Sequence, residues 1–354
     1  MICIPSAERL FTAAKSVLQR LRGRLLARLG AAATLVLALA GCASTGGAPA
    51  APGAAAASGG GSAAQAQPLA PAQIARGPLY TFSKDGKTHS LYGTLHVGRP
   101  DWKQDAALQA ALARASALAV EVDISQPAPI QLALQRYAVA SDAQSAAAGL
   151  PADLVERLRA GARQAGLSAA QARVMKPWFL ANQLSISAFA RGGYVATAGS
   201  EVFLMSAAKQ RRLPIVELES VEQQFAMLDA MPGNVLREYV EQALMYAQGS
   251  SIPTDLLQLV SAWEQGDLRA LAAMVNTDPA TAKASDRWLN EELLLSRHPQ
   301  MVERIIELAG KEASVMVAVG ALHLPGERGL IALLRKAGFE VRRVERPGQV
   351  AAGG

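Results

Sequence analysis

The chain has 354 residues, 51% of them hydrophobic, and a formal net charge of +6. That is enough apolar material to bury a full core and, once a low-complexity tail is set aside, it suits one large domain better than two. The charge is concentrated: Arg9, Lys15, Arg20, Arg22, Arg24 and Arg28 against Glu8 put +5 into residues 1–41 and leave +1 for the rest, which removes any electrostatic argument for a nucleic-acid partner.

The basic stretch runs into the apolar segment 31–40 and then Gly41-Cys42, the layout of a signal peptide over residues 1–41. Leu39-Ala40-Gly41-Cys42 resembles a bacterial lipobox, in which the Cys42 thiol is acylated and the peptide is cut just before it. The apolar run is short for a bilayer span, so an uncleaved membrane anchor or a plain secretion signal is the weaker reading. Cys3 would leave with the signal and Cys42 would be lipidated, so no thiol remains for a disulfide, a metal site or a nucleophile. Ala43 after the lipidated position implies onward export to the outer membrane, with the protein facing the periplasm. Residues 42–76 are mostly Ala, Gly, Ser, Pro and Gln and are expected to form a flexible tether. The tail, 347–354, is expected to fray.

Ordered structure is expected over 77–346. It opens with a hairpin, strands near 79–83 and 90–92 joined by Lys84-Asp85-Gly86-Lys87, where Asp-Gly is a strong turn signal. A helix near 102–115 precedes a buried strand at 117–123; further strands are expected at 213–219, 314–319 and 340–344. Amphipathic helices are expected near 153–165, 178–190, 235–248, 255–264, 286–296 and 301–309. The expected fold class is α/β: a mostly parallel central sheet with large helical insertions packed beside it.

Two tetrads of the form Gly-x-x-His, Gly93-Thr-Leu-His96 and Gly320-Ala-Leu-His323, each end an apolar strand. Carboxylates end the other two central strands, Glu121 with Asp123 and Glu217 with Glu219; period-two alternation puts each pair on one face. Ligand sites of open α/β sheets gather at the carboxyl ends of the strands. A carboxylate in so apolar a strand needs a cation, a metal or a proton, and an ordinary salt bridge to Arg or Lys is as good a reading as a site. His96, His323 and one carboxylate would make a nitrogen-and-oxygen set suited to zinc, manganese or cobalt. His89 reads as a solvated hairpin residue, His298 as a helix-end residue, Lys209-Gln-Arg-Arg212 as a solvated helix terminus, and Trp102, Trp178, Trp263 and Trp288 as packing. No Gly-x-Ser-x-Gly elbow, Gly-rich phosphate loop or His-Glu-x-x-His helix is present.

Tyr92-Gly-Thr-Leu-His-Val-Gly98 and Val319-Gly-Ala-Leu-His-Leu-Pro-Gly326 with Gly329-Leu330 resemble the opening and closing motifs of the TraB/GumN (TIKI-type) family. Between them, in family order, stand Val120-Glu121, Lys176-Pro177-Trp178, Gly199-Ser-Glu201, Leu218-Glu219 with Gln224, and Arg297. The resemblance spans roughly 79–345. It implies a fold like the erythromycin-esterase and ChaN-type proteins and a metal-dependent hydrolase or protease, with His96, Glu121 and His323 first and Glu219 and Arg297 next. Glu201 stands where aspartate is usual and His298 where asparagine often follows the arginine, departures that bear on the substrate side.

The leading expectation is therefore an envelope-anchored hydrolase in which a divalent metal held by His96, Glu121 and His323 activates water against a peptide or envelope polymer, with Glu219 as proton acceptor and Arg297 on the oxyanion. A variant uses His96 as base without metal. The alternatives are a lipoprotein that binds haem, a metal or an envelope polymer without turnover, and an interaction protein that regulates envelope assembly.

Overall fold

The computed structural model describes residues 74–147, 149–275 and 281–346. The signal peptide, Cys42, the tether up to residue 73 and the tail from 347 lie outside the described residues.

The Asp-Gly signal forms a two-residue hairpin loop. Asp85 and Gly86 both take positive φ (52° and 77°), the twist that lets β2 (Leu79–Lys84) return as β3 (Lys87–Thr94). Just before them β1 (Ile74–Ala75), inside the stretch expected to be tether, pairs in parallel with β4 (Lys103–Gln104). The main sheet adds β5 (Ala117–Val120), β6 (Ile215–Glu217), β7 (Val315–Gly320) and β8 (Glu340–Arg343), in the order β6-β5-β7-β3-β2-β8. The β6-β5, β5-β7 and β7-β3 pairs are parallel, and β2 runs antiparallel to both neighbours.

Period two sorts the strand residues onto two buried faces. Leu79, Tyr92, Leu118, Val120, Met316 and Ala318 face one core with helices Ala106–Arg114, Ser200–Gln210, Thr254–Glu264 and Leu268–Val275. Phe82, Leu91, Ala119, Val315, Val317 and Val319 face the other with helices His298–Lys311 and Leu330–Lys336. A third apolar cluster joins helices Ala152–Gln164, Pro177–Ala190, Val221–Asp229 and Gly233–Ala247 beside the sheet, the helical insertion expected from sequence. The tryptophans pack as expected: Trp102 stacks on Trp263, Trp178 meets Phe225 edge-on, and Trp288 lies against the third cluster. No helix among the described residues is long and apolar enough to cross a membrane.

His89 corrects the expectation of a solvated hairpin residue. It is 1% exposed, its Nδ1 accepts the Val315 N–H at 3.1 Å, and burial, with Lys87 adding to it, pushes its pKa down. The reason is topological: β7 pairs with the far side of β3, so the hairpin's second strand lies inside the sheet.

The expected helix 286–296 is a composite. An α-helical turn, Ala284–Trp288, passes into a π-helical stretch, Leu289–Leu294, and a 3-10 turn, Leu295–Arg297, before His298–Lys311 resumes as α-helix. Such wide turns recur at functional sites because they re-aim side chains. Here the junction presents Arg297 and His298 inward, both buried.

Candidate functional site

Parallel pairing brings four strand ends to one edge. In the register Gly93 opposes Val319, Thr94 opposes Gly320, Val120 opposes Ala318, and Glu217 opposes Val120. The residues that follow, His96, Glu121, Glu219 and His323, are all buried. The glycines make the approach possible: a Cβ on Gly320 would stand 3.2 Å from Glu121 Oε1, 3.5 Å from His323 Cδ2 and 3.8 Å from His96 Nε2. His96, Glu121 and His323 therefore converge although 227 residues separate the first from the last.

The strand-end carboxylates do not stay paired on one face. Regular strand ends at Val120 and Glu217, and the chain then turns Glu121 and Glu219 inward. Glu217 is exposed, and its Oε1 accepts the Asp123 N–H at 2.8 Å.

The salt-bridge reading of the buried carboxylates is realised in Arg297. Its Nη2 donates to Glu121 Oε2 at 2.6 Å, and its Nε donates to Glu219 Oε1 and Oε2 at 2.9 and 3.0 Å, with a further Nη2 bond to Glu219 Oε2. Gln224 Nε2 donates to both carboxylates, at 3.4 and 3.3 Å, and the Gly320 N–H donates to Glu121 Oε1 at 2.6 Å. Burial by itself would raise the Glu121 pKa; the neighbouring His323 and the Arg297 guanidinium outweigh it and hold the carboxyl well below its ordinary range. Arg297 is pushed up by its two carboxylates against the opposing effect of burial. Arg297 Nη1 donates to the Leu293 carbonyl at 2.8 Å, so the π-helical stretch also supports the guanidinium.

Glu201, one of the two departures noted in the sequence, is the partner of the first histidine. Its Oε1 lies 2.8 Å from His96 Nδ1. The Gly199-Ser200-Glu201 tripeptide clamps the first tetrad: Ser200 N–H donates to the Leu95 carbonyl at 3.0 Å, and the Leu95 N–H donates to Ser200 Oγ at 2.9 Å. A Cβ on Gly199 would fall 2.9 Å from the His96 carbonyl oxygen, so only glycine permits this approach. Burial pulls the His96 pKa down, but the Glu201 charge and hydrogen bond override it and the net direction is up. Its Nε2 is buried without any hydrogen-bond partner.

His298, the other departure, corrects the expectation of a bland helix-end residue. It is 1% exposed, its Nδ1 lies 2.6 Å from the Arg328 carbonyl, and its Nε2 lies 2.8 Å from His323 Nδ1. Burial, then the neighbouring His323, lowers its pKa to about 3, so the ring is neutral. Sequence reasoning missed this contact; its only signal was a histidine in the position after the arginine. Lys209, Gln210, Arg211 and Arg212 are exposed as expected, and Arg211 also donates to the Leu112 and Ala113 carbonyls that end a neighbouring helix.

His96 and His323 share a void of about 10 Å³ with Thr94, Gly320, Leu259 and Leu294, close to the least volume that holds one water. The partnerless His96 Nε2, His323 Nε2, and Glu121 Oε2 at 3.7 Å from the latter are nitrogen and oxygen donors whose chemistry fits zinc, manganese or cobalt. Among the described residues no three His, Cys, Asp or Glu side chains stand in ready ligand geometry, and Arg297 is the cation in contact with both glutamates.

The model of the TraB/PrgY/gumN family matches residues 78–343. The uncharacterized protein YbaP of Shigella flexneri is 26% identical over 261 residues, 73% of this chain and 92% of that protein, and YbaP of Escherichia coli aligns with the same figures. Metalloprotease TIKI1 of Danio rerio is 25% identical over 316 residues, 74% of this chain and 62% of that protein. No solved structure matches the chain.

Proposed function

The chain belongs to the TraB/PrgY/gumN family, and on that premise we propose that it is a hydrolase of the bacterial envelope, tethered by a lipid on Cys42, that splits acyl bonds of a peptide or envelope polymer. The carrying observation is the His96 Nε2 atom, buried without a hydrogen-bond partner beside Glu121 and His323; the likeness to a protein named metalloprotease supports the reaction class.

In this reading His96 Nε2, His323 Nε2 and Glu121 would hold a divalent metal. The metal would supply Lewis acidity and a water whose pKa is lowered toward neutrality. Glu201 keeps the His96 ring in place through Nδ1, and the Gly320 N–H keeps Glu121 Oε1 occupied so that Oε2 faces His323. Arg297 Nη1, next to His323 at 3.4 Å, is the donor best placed to meet a developing oxyanion. Glu219, bound by Arg297 through both oxygens, positions that arginine. Leu259 and Leu294 close the void, so substrate entry requires them to move aside.

A second reading, His96 as general base on Glu201 without metal, is favoured by the raised basicity of that ring. Metal analysis of the purified chain, together with hydrolysis of a fluorogenic peptide panel, separates the two. A bound divalent ion lost in both His96→Ala and His323→Ala is expected. Hydrolysis that survives complete chelation would replace the metal reading with the second, and neither metal nor hydrolysis would remove both.

A further inference from the structure

The direction of the hydrogen bonds around His323 determines which of its ring nitrogens carries the proton. A backbone carbonyl can only accept, so His298 Nδ1, 2.6 Å from the Arg328 oxygen, is protonated and donates. The ring is buried, it follows Arg297 in the chain, and a second cation there is opposed, so His298 Nε2 presents a lone pair. His323 Nδ1, 2.8 Å away, must then donate to it. In a neutral ring that leaves His323 Nε2 unprotonated, and the groups on that side agree: Arg297 Nη1, at 3.4 Å, can only donate, and Glu121 Oε2, at 3.7 Å, lies outside hydrogen-bond reach. All three links run one way, from Arg297 through His323 and His298 to the Arg328 carbonyl.

The end of this chain is held by a tight loop. Gly326 takes φ 86°, and a Cβ on Gly329 would fall 2.0 Å from the Pro325 carbonyl oxygen, so the 325–329 loop closes only with glycine at that position. The loop thereby aims the Arg328 carbonyl at His298.

We propose that His298 is a positioning residue that locks His323 in its Nδ1–H form, turning the Nε2 lone pair toward Glu121 and the His96 side of the site, with the 325–329 loop as its anchor. The importance of that lone pair rests on the hydrolase reading; the ring form itself does not. Ligand histidines need such a partner because the second nitrogen's hydrogen bond sets which nitrogen is bare.

The chain holds only four histidines, His89, His96, His298 and His323, so NMR of the full chain with isotope-labelled imidazole nitrogens can assign each ring by substitution. His323 is expected to carry its proton on Nδ1. In His298→Leu the proton should spread onto Nε2; in His298→Gln, whose amide oxygen reaches the same acceptor position, it should stay on Nδ1. Peptide hydrolysis should fall about 10–100-fold in kcat with little change in KM for the leucine variant, and recover in the glutamine variant. A wild-type His323 protonated on Nε2, or a ring form unmoved by His298→Leu, overturns the proposal, and the wild-type spectrum decides even if the leucine variant does not fold. The expected ring form in a chain without hydrolytic activity would support the assignment and count against the hydrolase reading alone.

Discussion

The two Gly-x-x-His tetrads have the same form in sequence and opposite settings in the fold. In the first, His96 leans on a carboxylate, Glu201, which raises its basicity, while its Nε2 has no hydrogen-bond partner. In the second, His323 leans on a neutral imidazole, His298, and faces a guanidinium, Arg297. The glycine gives both histidines the same access to the strand edge; the partner on the far nitrogen decides what each ring can do. One pole of the site is thus electron-rich and the other is buttressed by cation and relay, an asymmetry suited to holding an electrophile between them.

The comparison breaks hardest at Arg297, which the second tetrad touches and the first does not. Arg297→Met leaves Glu121 and Glu219 buried without their counter-charge, and a loss of about 3–5 kcal/mol in urea unfolding is expected. Adding Glu121→Gln and Glu219→Gln to the same chain should restore most of it. An unchanged midpoint in the single variant would mean that the carboxylates find another partner.

The two glycines sharpen it next. A Cβ on Gly93 would lie 3.0 Å from Ala321 Cα and 3.1 Å from its Cβ, against the rigid backbone of the second tetrad, whereas on Gly320 it meets the Glu121 side chain. Gly93→Ala should cost about 1–3 kcal/mol of stability. Gly320→Ala should cost less stability and, on the metal reading, more metal affinity, a crossover that calorimetry and metal titration on the same two variants would expose.

Glu201→Gln tests the electron-rich pole. The amide keeps the contact to His96 Nδ1 but removes the charge, so hydrolysis or metal affinity should fall about 10–100-fold while the melting temperature moves little. An equal fall in Glu217→Gln, at an exposed carboxylate outside the site, would mean the effect is not specific to the His96 pair.

Per pH unit, the smallest effect concerns proton uptake at the neutral relay. With His298 held near a pKa of about 3 in the fold and 6.5 as its ordinary value, the unfolded chain binds the extra proton between these values, so the ring's contribution falls as pH drops below about 6.5 and levels off below about 3. The stability gap between wild type and His298→Gln should narrow across that window by at most about 1.4 kcal/mol per pH unit. A gap that widens on acidification would reverse the assignment of a neutral His298.

Local signals determined much of this protein. Asp85-Gly86 sets the hairpin through its positive φ, the all-apolar runs at 117–120 and 315–319 mark strands buried on both faces, and a glycine followed three residues later by histidine at two strand ends located both imidazoles of the site. The resemblance of those motifs in order gave the family. Each of these depends on residues within a few positions of one another, where backbone preference and side-chain period act directly. The tertiary structure alone decided the rest: that Arg297 joins Glu121, 176 residues away, to Glu219, 78 residues away; that Glu201 serves His96; that His298 faces His323; and that β7 buries His89. An isolated buried charge or ring has several chemically acceptable partners in the sequence, and only the parallel register of β5, β7 and β3, with the irregular helix that turns Arg297 and His298 inward, brings one of them within hydrogen-bond reach.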